Sequence, residues 1–320
     1  MPYLLKRVIN SVLLLLITVS FVFFACRMIG DPALNMLGPG ANDIALENLR
    51  RAAGLNDPLW LQWVRYMGGL LQGDFGVSYR YGFSVIPEAD LKDIGVPVVD
   101  LVAERLPATF LLAGVAMAIA VPLGLGMGVI AAAYPRHLAD RLVTVLSLAG
   151  VSIVQFWLGL MLIVLFAVQL GWLPTGGYGE PAHVILPALT LAARPIGRIA
   201  QVTRSAMLDE LAKPYVVTAR AKGVAEWRVI LLHALRNAAI PIITMIGDEL
   251  SALLTGAILV EKIFAWPGIG LLIIDSLSRS DLPIIQVSIT VVAALVIIVN
   301  LLVDFAYRII DPQIQLGRKG

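Results

Sequence analysis

The 320-residue chain is short of charge: Asp, Glu, Lys and Arg together make up 14 % of it, against about 25 % in an average soluble domain. So few charged side chains could not cover a soluble particle of this size. With 59 % apolar residues, the composition excludes a soluble enzyme, a disordered chain and a collagen-like fibre. Cys26 is the only cysteine, which excludes an intrachain disulfide framework. It ends an apolar run, where a small buried residue is the plain interpretation. A lipoprotein attachment site is the alternative, and Phe23-Phe24-Ala25 before it matches poorly. The histidines His137, His183 and His233 are too widely separated for metal-ligand spacing. There is no G-x-x-x-x-G-K-[ST] loop, no H-E-x-x-H and no G-x-S-x-G. A net charge of +2 does not argue for nucleic acid. If such a chain moves a solute actively, another subunit or an ion gradient supplies the energy.

What the chain has instead is long apolar runs. Its mean hydropathy is +0.86, and a helix crossing the hydrocarbon core needs about 20 mostly apolar residues. Four uncharged runs meet that need: 8–26, 106–135 (with Pro122 inside), 142–170 and 282–303. The first is too long for a signal-peptide core and lacks a clean A-x-A site, so it is expected to be retained. Two weaker spans are expected around 183–200, which carries Pro187 and Pro195, and around 241–260, which carries Asp248 and Glu249. Proline or acid inside a span marks a helix that faces protein or a water-filled cavity. The expected fold class is all-α, a polytopic membrane protein with six transmembrane helices.

Basic residues orient the spans. With both termini cytoplasmic, 15 of the 24 Lys and Arg residues fall inside, as the positive-inside bias requires. Most of the others lie in one long outer loop, 30–103, and the short outer loop 171–181 has none. The long loop divides an N-terminal segment, 1–29, from a core, 104–320. Turn signals at Asp31-Pro32, Gly38-Pro39-Gly40, Asp57-Pro58 and Gly73-Asp74 punctuate it. Short amphipathic helices are expected over 41–53 and 59–71, with Trp60 and Trp63 suited to a membrane interface.

The inner loop, 204–240, carries six of the 15 inner basic residues, the largest share of any segment. Pro214 can open a helix, Gly223 can end it in a left-handed turn, and 226–239 resumes a helical pattern. The small residues Ala219, Ala221 and Gly223 let another surface approach the backbone, and Arg220, Lys222 and Arg228 can pair with its carboxylates. On the residues alone, two readings stay open: a docking element, or a basic loop that only sets topology.

The stretch Tyr215-Val-Val-Thr-Ala-Arg-Ala-Lys-Gly223, then His233-Ala-Leu-Arg-Asn237 and Ile240-Pro241, resembles the "EAA" loop of binding-protein-dependent ABC importer permeases. The similarity is to the dipeptide/oligopeptide/nickel subfamily. Val217-Thr218-Ala219 stand at the E-A-A positions, so the acid is missing, and the proline comes later than in the general pattern. Both departures are usual in that subfamily. Further matches run through Gly30-Asp31-Pro32-Ala33, Ala53 to Leu59, Gly73-Asp74-Phe75-Gly76, Ser78-Tyr79, Glu104 to Thr109, Arg204-Ser205, Val260-Glu261 and Trp266-Pro267-Gly268. The resemblance implies a type I ABC importer permease fold in the bacterial inner (cytoplasmic) membrane, with a cytoplasmic coupling helix. It implies that Thr218, Ala219, Arg220, Ala221, Lys222, Gly223, Glu226 and Trp227 couple to an ATPase. The implied partners are a second homologous permease, two cytosolic ATPases holding ATP and Mg, and a periplasmic or lipid-anchored substrate-binding protein. No cofactor, metal or nucleic acid is implied for this chain. The implied cargo is a di- or oligopeptide, a nickel chelate, glutathione or a related small solute.

Asp248 and Glu249 depart from that family, which usually has uncharged residues there. A carboxylate at mid-span costs about 2.5–3.5 kcal/mol. Either residue could face the translocation path and favour a cationic group. Alternatively it pairs with a basic residue of the partner permease, or sits near the inner interface. The segment 261–270 reads as a short outer helix folding back, either near the binding protein's docking face or as a plain connector. Arg279-Ser280-Asp281 replaces the family's adjacent Arg-Asp. An ion-coupled secondary transporter using Asp248 and Glu249 is the alternative function. An intramembrane enzyme lacks any catalytic set.

Overall fold

The structure, a computed structural model, describes residues 2–29, 32–37, 42–52, 54–78 and 96–310. The turn signals at Asp31 and Gly38-Pro39-Gly40, the matches at Gly30, Ala53 and Tyr79, and the basic residues Arg80, Lys92, Arg318 and Lys319 lie outside them. The chain divides into two compact units, Met1–Ala108 with Pro267–Ile297, and Thr109–Trp266 with Ile298–Gly320.

In the first unit, α1 (Pro2–Ile29) is followed by α2 (Pro32–Leu37), α3 (Asp43–Ala52) and α4 (Leu59–Leu71). Helix α4 lies on α1: Tyr66 stacks on Phe23 at 5.3 Å, and the Trp63 indole donates to Ser20 Oγ at 3.1 Å. Trp60 remains exposed. Helix α5 (Val98–Ala133) starts eight residues before the expected span and passes without a break through the expected boundary at 103/104. Its first turns pack Val98 and Val102 against Ile269, Leu272, Ile284 and Val287. These last belong to α12 (Ile269–Ser278) and α13 (Leu282–Ile310). Between those two helices Ser280 has φ +56, and the buried carboxylate of Asp281 accepts from Ser78 at 2.5 Å.

In the second unit the expected continuous third span is two helices, α6 (Leu138–Ser152) and α7 (Gln155–Leu162, extended by a π-helical Ile163–Gln169), bent by 105°. Ile153 and Val154 are extended at ψ 128 and 125. The run Val151-Ser152-Ile153-Val154 is mostly β-branched, which weakens the helix there without a proline. Then follow α8 (Pro181–Leu211), α9 (Pro214–Ala221), α10 (Glu226–Arg228, π-helical Val229–Ala234, Leu235–Asn237) and α11 (Ala239–Ile263). Among the described residues, four helices are long and apolar enough to cross a membrane, or there are five spans if the bent pair is one. The sixth expected span, α8, has the length at 31 residues. Its arginines and terminal acids keep it below the apolar composition of the others.

Glycines let the backbones of this unit meet. A Cβ on Gly128 would fall 2.5 Å from Thr203 Cβ, one on Gly150 2.6 Å from the Ala193 carbonyl oxygen, and one on Gly197 would collide with the Ser147 carbonyl oxygen. Small residues at crossings replace the hydrophobic drive that lipid cannot supply. Gly197→Val therefore has to push α6 off α8, and is expected to destabilise by about 1–3 kcal/mol. A lowered thermal midpoint in detergent checks this. Gly126→Ala, with nothing within 4 Å of the new carbon, is expected to leave that midpoint level or slightly raised.

Candidate functional site

The segment between α8 and α11 forms two short helices around a glycine turn. Pro214 occupies the first turn of α9. At its end the Gly223 N–H donates to the Arg220 carbonyl at 2.9 Å, and the Val224 N–H to the Ala219 carbonyl at 3.2 Å. This is a Schellman closure, and it puts Gly223 at φ +73, where a side chain is strained. Arg220 closes the same turn through two bonds to the Glu226 carboxylate, at 2.5 and 3.1 Å.

Exposure alternates sharply along this hairpin. Val216, Val229 and Ala234 are fully buried, while Val217 and Trp227 are 59 % and 57 % exposed. Thr218, Arg220, Ala221, Lys222, Gly223 and Glu226 are also exposed, and Ala219 is half-buried. The buried feet are fixed on both sides. Ala234 and Ala238 pack with Met207 of α8, Ala132 of α5 and Ile242 of α11. The Tyr215 hydroxyl donates to Glu210 at 2.8 Å and accepts from Asn237 at 2.9 Å. Lys213, bonded to Glu210 at 2.6 Å, holds that carboxyl below its usual range.

A second clasp lies beside this one. Asp140 takes two bonds from the Arg204 guanidinium, at 2.5 and 3.0 Å, and a third from the Arg136 backbone N–H at 2.9 Å. Arg136 is thereby held at φ +68. The turn between α5 and α6 is thus pinned to α8 a few residues before the hairpin begins. Neither Asp140 nor the Tyr215 network was flagged from sequence. Arg204 was counted as inner positive charge and as part of the Arg204-Ser205 match, with no partner assigned, and that partner lies 64 residues away.

Inside the bundle, Glu249 is 3 % exposed and pairs with Arg198 at 3.1 Å. Its ion-pair partner within this chain is therefore Arg198 of α8. Arg194 and Asp248 also act electrostatically on it. Arg194 and Arg198 lie one turn apart near the middle of α8. Asp248 points outward and is exposed, so the two adjacent acids have different surroundings.

At the other end of α11, the Glu261 carboxylate is fully buried and accepts from Thr109 at 2.8 Å. The Trp266 N–H donates to the Glu261 carbonyl at 2.8 Å, and Tyr178 meets the Trp266 ring edge-on at 4.9 Å. The segment 261–270 holds the end of α11 at Ile263, a turn in which Ala265 has φ +48, and the start of α12 at Ile269.

Residues 124–316 match the family described as the inner membrane component of binding-protein-dependent transport systems, and residues 1–113 match its N-terminal region. The chain belongs to this family. It is 40 % identical over 314 residues to the glutathione transport system permease protein GsiC of Escherichia coli strain K12, covering 98 % of each chain. The GsiC of Shigella flexneri serotype 5b matches to the same extent. Among solved structures, an inward-facing MetNI methionine ABC transporter aligns with a TM-score of 0.58 at 17 % identity, over 67 % of this chain and 98 % of that one. An amino acid ABC transporter with histidines aligns at 0.53 and 16 % identity, over 66 % and 94 %. These two likenesses concern the fold. The protein is an all-α, multi-pass permease subunit of an ABC importer with the type I permease fold, and it is a transport subunit rather than an enzyme.

Arg220 also holds the Glu226 carboxyl below its usual 4.5, chiefly by hydrogen bonding to it. A depressed folded value means that the clamp is complete above about 4.5 and is lost as pH falls through that lower value. Hydrogen exchange of 214–237 is expected to accelerate across that acid window, and Glu226→Gln is expected to remove the pH step.

Proposed function

We propose that this permease forms half of the translocation path of an ATP-driven importer and takes its motion from a cytosolic ATPase through the hairpin 214–237. Thr218, Ala219, Arg220, Ala221, Lys222, Gly223, Glu226 and Trp227 are its docking residues. The partners in this reading are a second homologous permease, two ATPase subunits that bind ATP and Mg, and an external substrate-binding protein. Both termini are cytoplasmic. The cargo is a peptide-like solute of the glutathione or di/oligopeptide type, a choice supported by the names of the relatives. Asp248 faces the path and Glu249 borders it.

One observation carries the reading. The hairpin exposes a valine and a tryptophan at its tip while its feet are sealed into three long helices. A loop that only set topology would need charge but neither the exposed Trp227 nor a closed turn. A rigid element with a sticky tip can transmit a push, because the packed core behind it does not yield. The ion-coupled alternative would use Asp248 and Glu249, and the Arg198 guanidinium already occupies the Glu249 carboxylate, which leaves Asp248 alone for that role.

Gly223→Asp tests the coupling. It adds a side chain at φ +73 on the proposed contact surface, whereas Gly171→Asp imposes similar strain at φ +63 in the short outer loop. In the reconstituted transporter, ATP-dependent uptake of glutathione is expected to fall at least tenfold with Gly223→Asp and ATPase co-purification to weaken. Both are expected to persist with Gly171→Asp and with a protonophore present. Equal loss in the two variants, or collapse with the protonophore, would overturn the reading.

A further inference from the structure

The exposed faces of the long helices differ in kind. Helix α1 exposes Val8, Val12, Leu16 and Phe21, and α6 exposes Leu138, Leu142, Val145 and Leu146, as lipid contact requires. Among the described residues, α8 exposes no large apolar side chain beyond Ile185, and α11 exposes none between Ile240 and Leu259. What those stretches present instead is polar. Arg194, Arg198 and Ser205 lie at i, i+4 and i+11 on one face of α8, and Thr244, Asp248 and Thr255 at the same spacing on one face of α11. The two helices pack on each other, joined by the Arg198–Glu249 pair.

With Glu249 neutralised by Arg198, two opposite charges remain. Arg194 and Asp248 are both exposed, and both lie within electrostatic reach of the same Glu249 carboxylate. Neither makes a direct ion pair among the described residues. Lipid would penalise each by about 2.5–3.5 kcal/mol, so this polar strip does not face lipid.

Resting on the permease reading above, we infer that the α8–α11 strip walls the aqueous path, and that Arg194 and Asp248 are its specificity-determining residues for zwitterionic solutes. The guanidinium takes the carboxylate end of the passing solute and the carboxylate takes its ammonium end. Arg198 and Glu249 act as positioning residues that hold the two helices side by side. The wall is thereby matched to a solute carrying both charges, and not to the cationic group that two unpaired acids would favour.

Cysteine accessibility in the assembled transporter tests this without a known cargo. In a Cys26→Ala background, Thr255→Cys and Thr244→Cys are probed with cationic, anionic and zwitterionic methanethiosulfonates, with and without trapped ATP. All three reagents are expected to react, the zwitterionic one fastest. Val145→Cys, on the apolar face of α6, is expected to resist. Arg194→Gln is expected to slow the anionic reagent about tenfold relative to the cationic one, Asp248→Asn the reverse, and Arg194→Lys to retain the original ratio. Cysteines on α11 as unreactive as Val145→Cys in both states would overturn the aqueous wall. Reagent ratios unmoved by Arg194→Gln and Asp248→Asn would overturn the charge assignment. Failure of the ATPase to co-purify with the cysteine-bearing permease would instead count against the permease reading, so the two failures are distinguishable.

Discussion

Charge inside a membrane has to be matched, and the Arg198–Glu249 pair is where this chain meets that requirement most directly. Neither partner could be tolerated alone in hydrocarbon. A buried acid left without its cation is far more costly than the pair itself. The pair lies between α8 and α11, the two helices that flank the hairpin. It therefore fixes their relative position. Because it neutralises one acid and one base, it also decides which charges of this pair of helices, Arg194 and Asp248, stay exposed.

The same logic of matched polar groups recurs at both ends of the second unit. Near the hairpin, Asp140 gathers Arg204 and the Arg136 backbone, and Tyr215 joins Glu210 to Asn237. At the far end of α11, Glu261 is buried on Thr109. Between them the contacts are glycine on backbone or on small side chains. The polar anchors of this assembly are directional and its glycine crossings are close. A displacement imposed at Val217 and Trp227 has few soft elements in which to dissipate before it reaches the charged strip.

Much of this was legible in the chain. The scarcity of charge announced the membrane, and the apolar runs located four spans and the pieces of a fifth. Pro214 and Gly223 marked the ends of a short helix, because each residue type has a backbone reason to stand there. The run 142–170 concealed a 105° bend, since no proline signals it and four residues of weak helix propensity look like any apolar stretch. Helix α8 was harder for the opposite reason. Its arginines lower its hydropathy, and only the helix across from it shows that they serve the interior.

What the sequence by itself determined is local or cumulative: composition, run length, the handedness of a glycine turn, and the family that the ordered motifs identify. Tertiary structure alone decided which charges meet. Asp140 finds Arg204 across 64 residues, and of two adjacent acids one turns inward to Arg198 while the other faces out. Neighbours on a helix point about 100° apart, so a sequence can state that two carboxylates are present. Their different fates depend on which helix lies against each face.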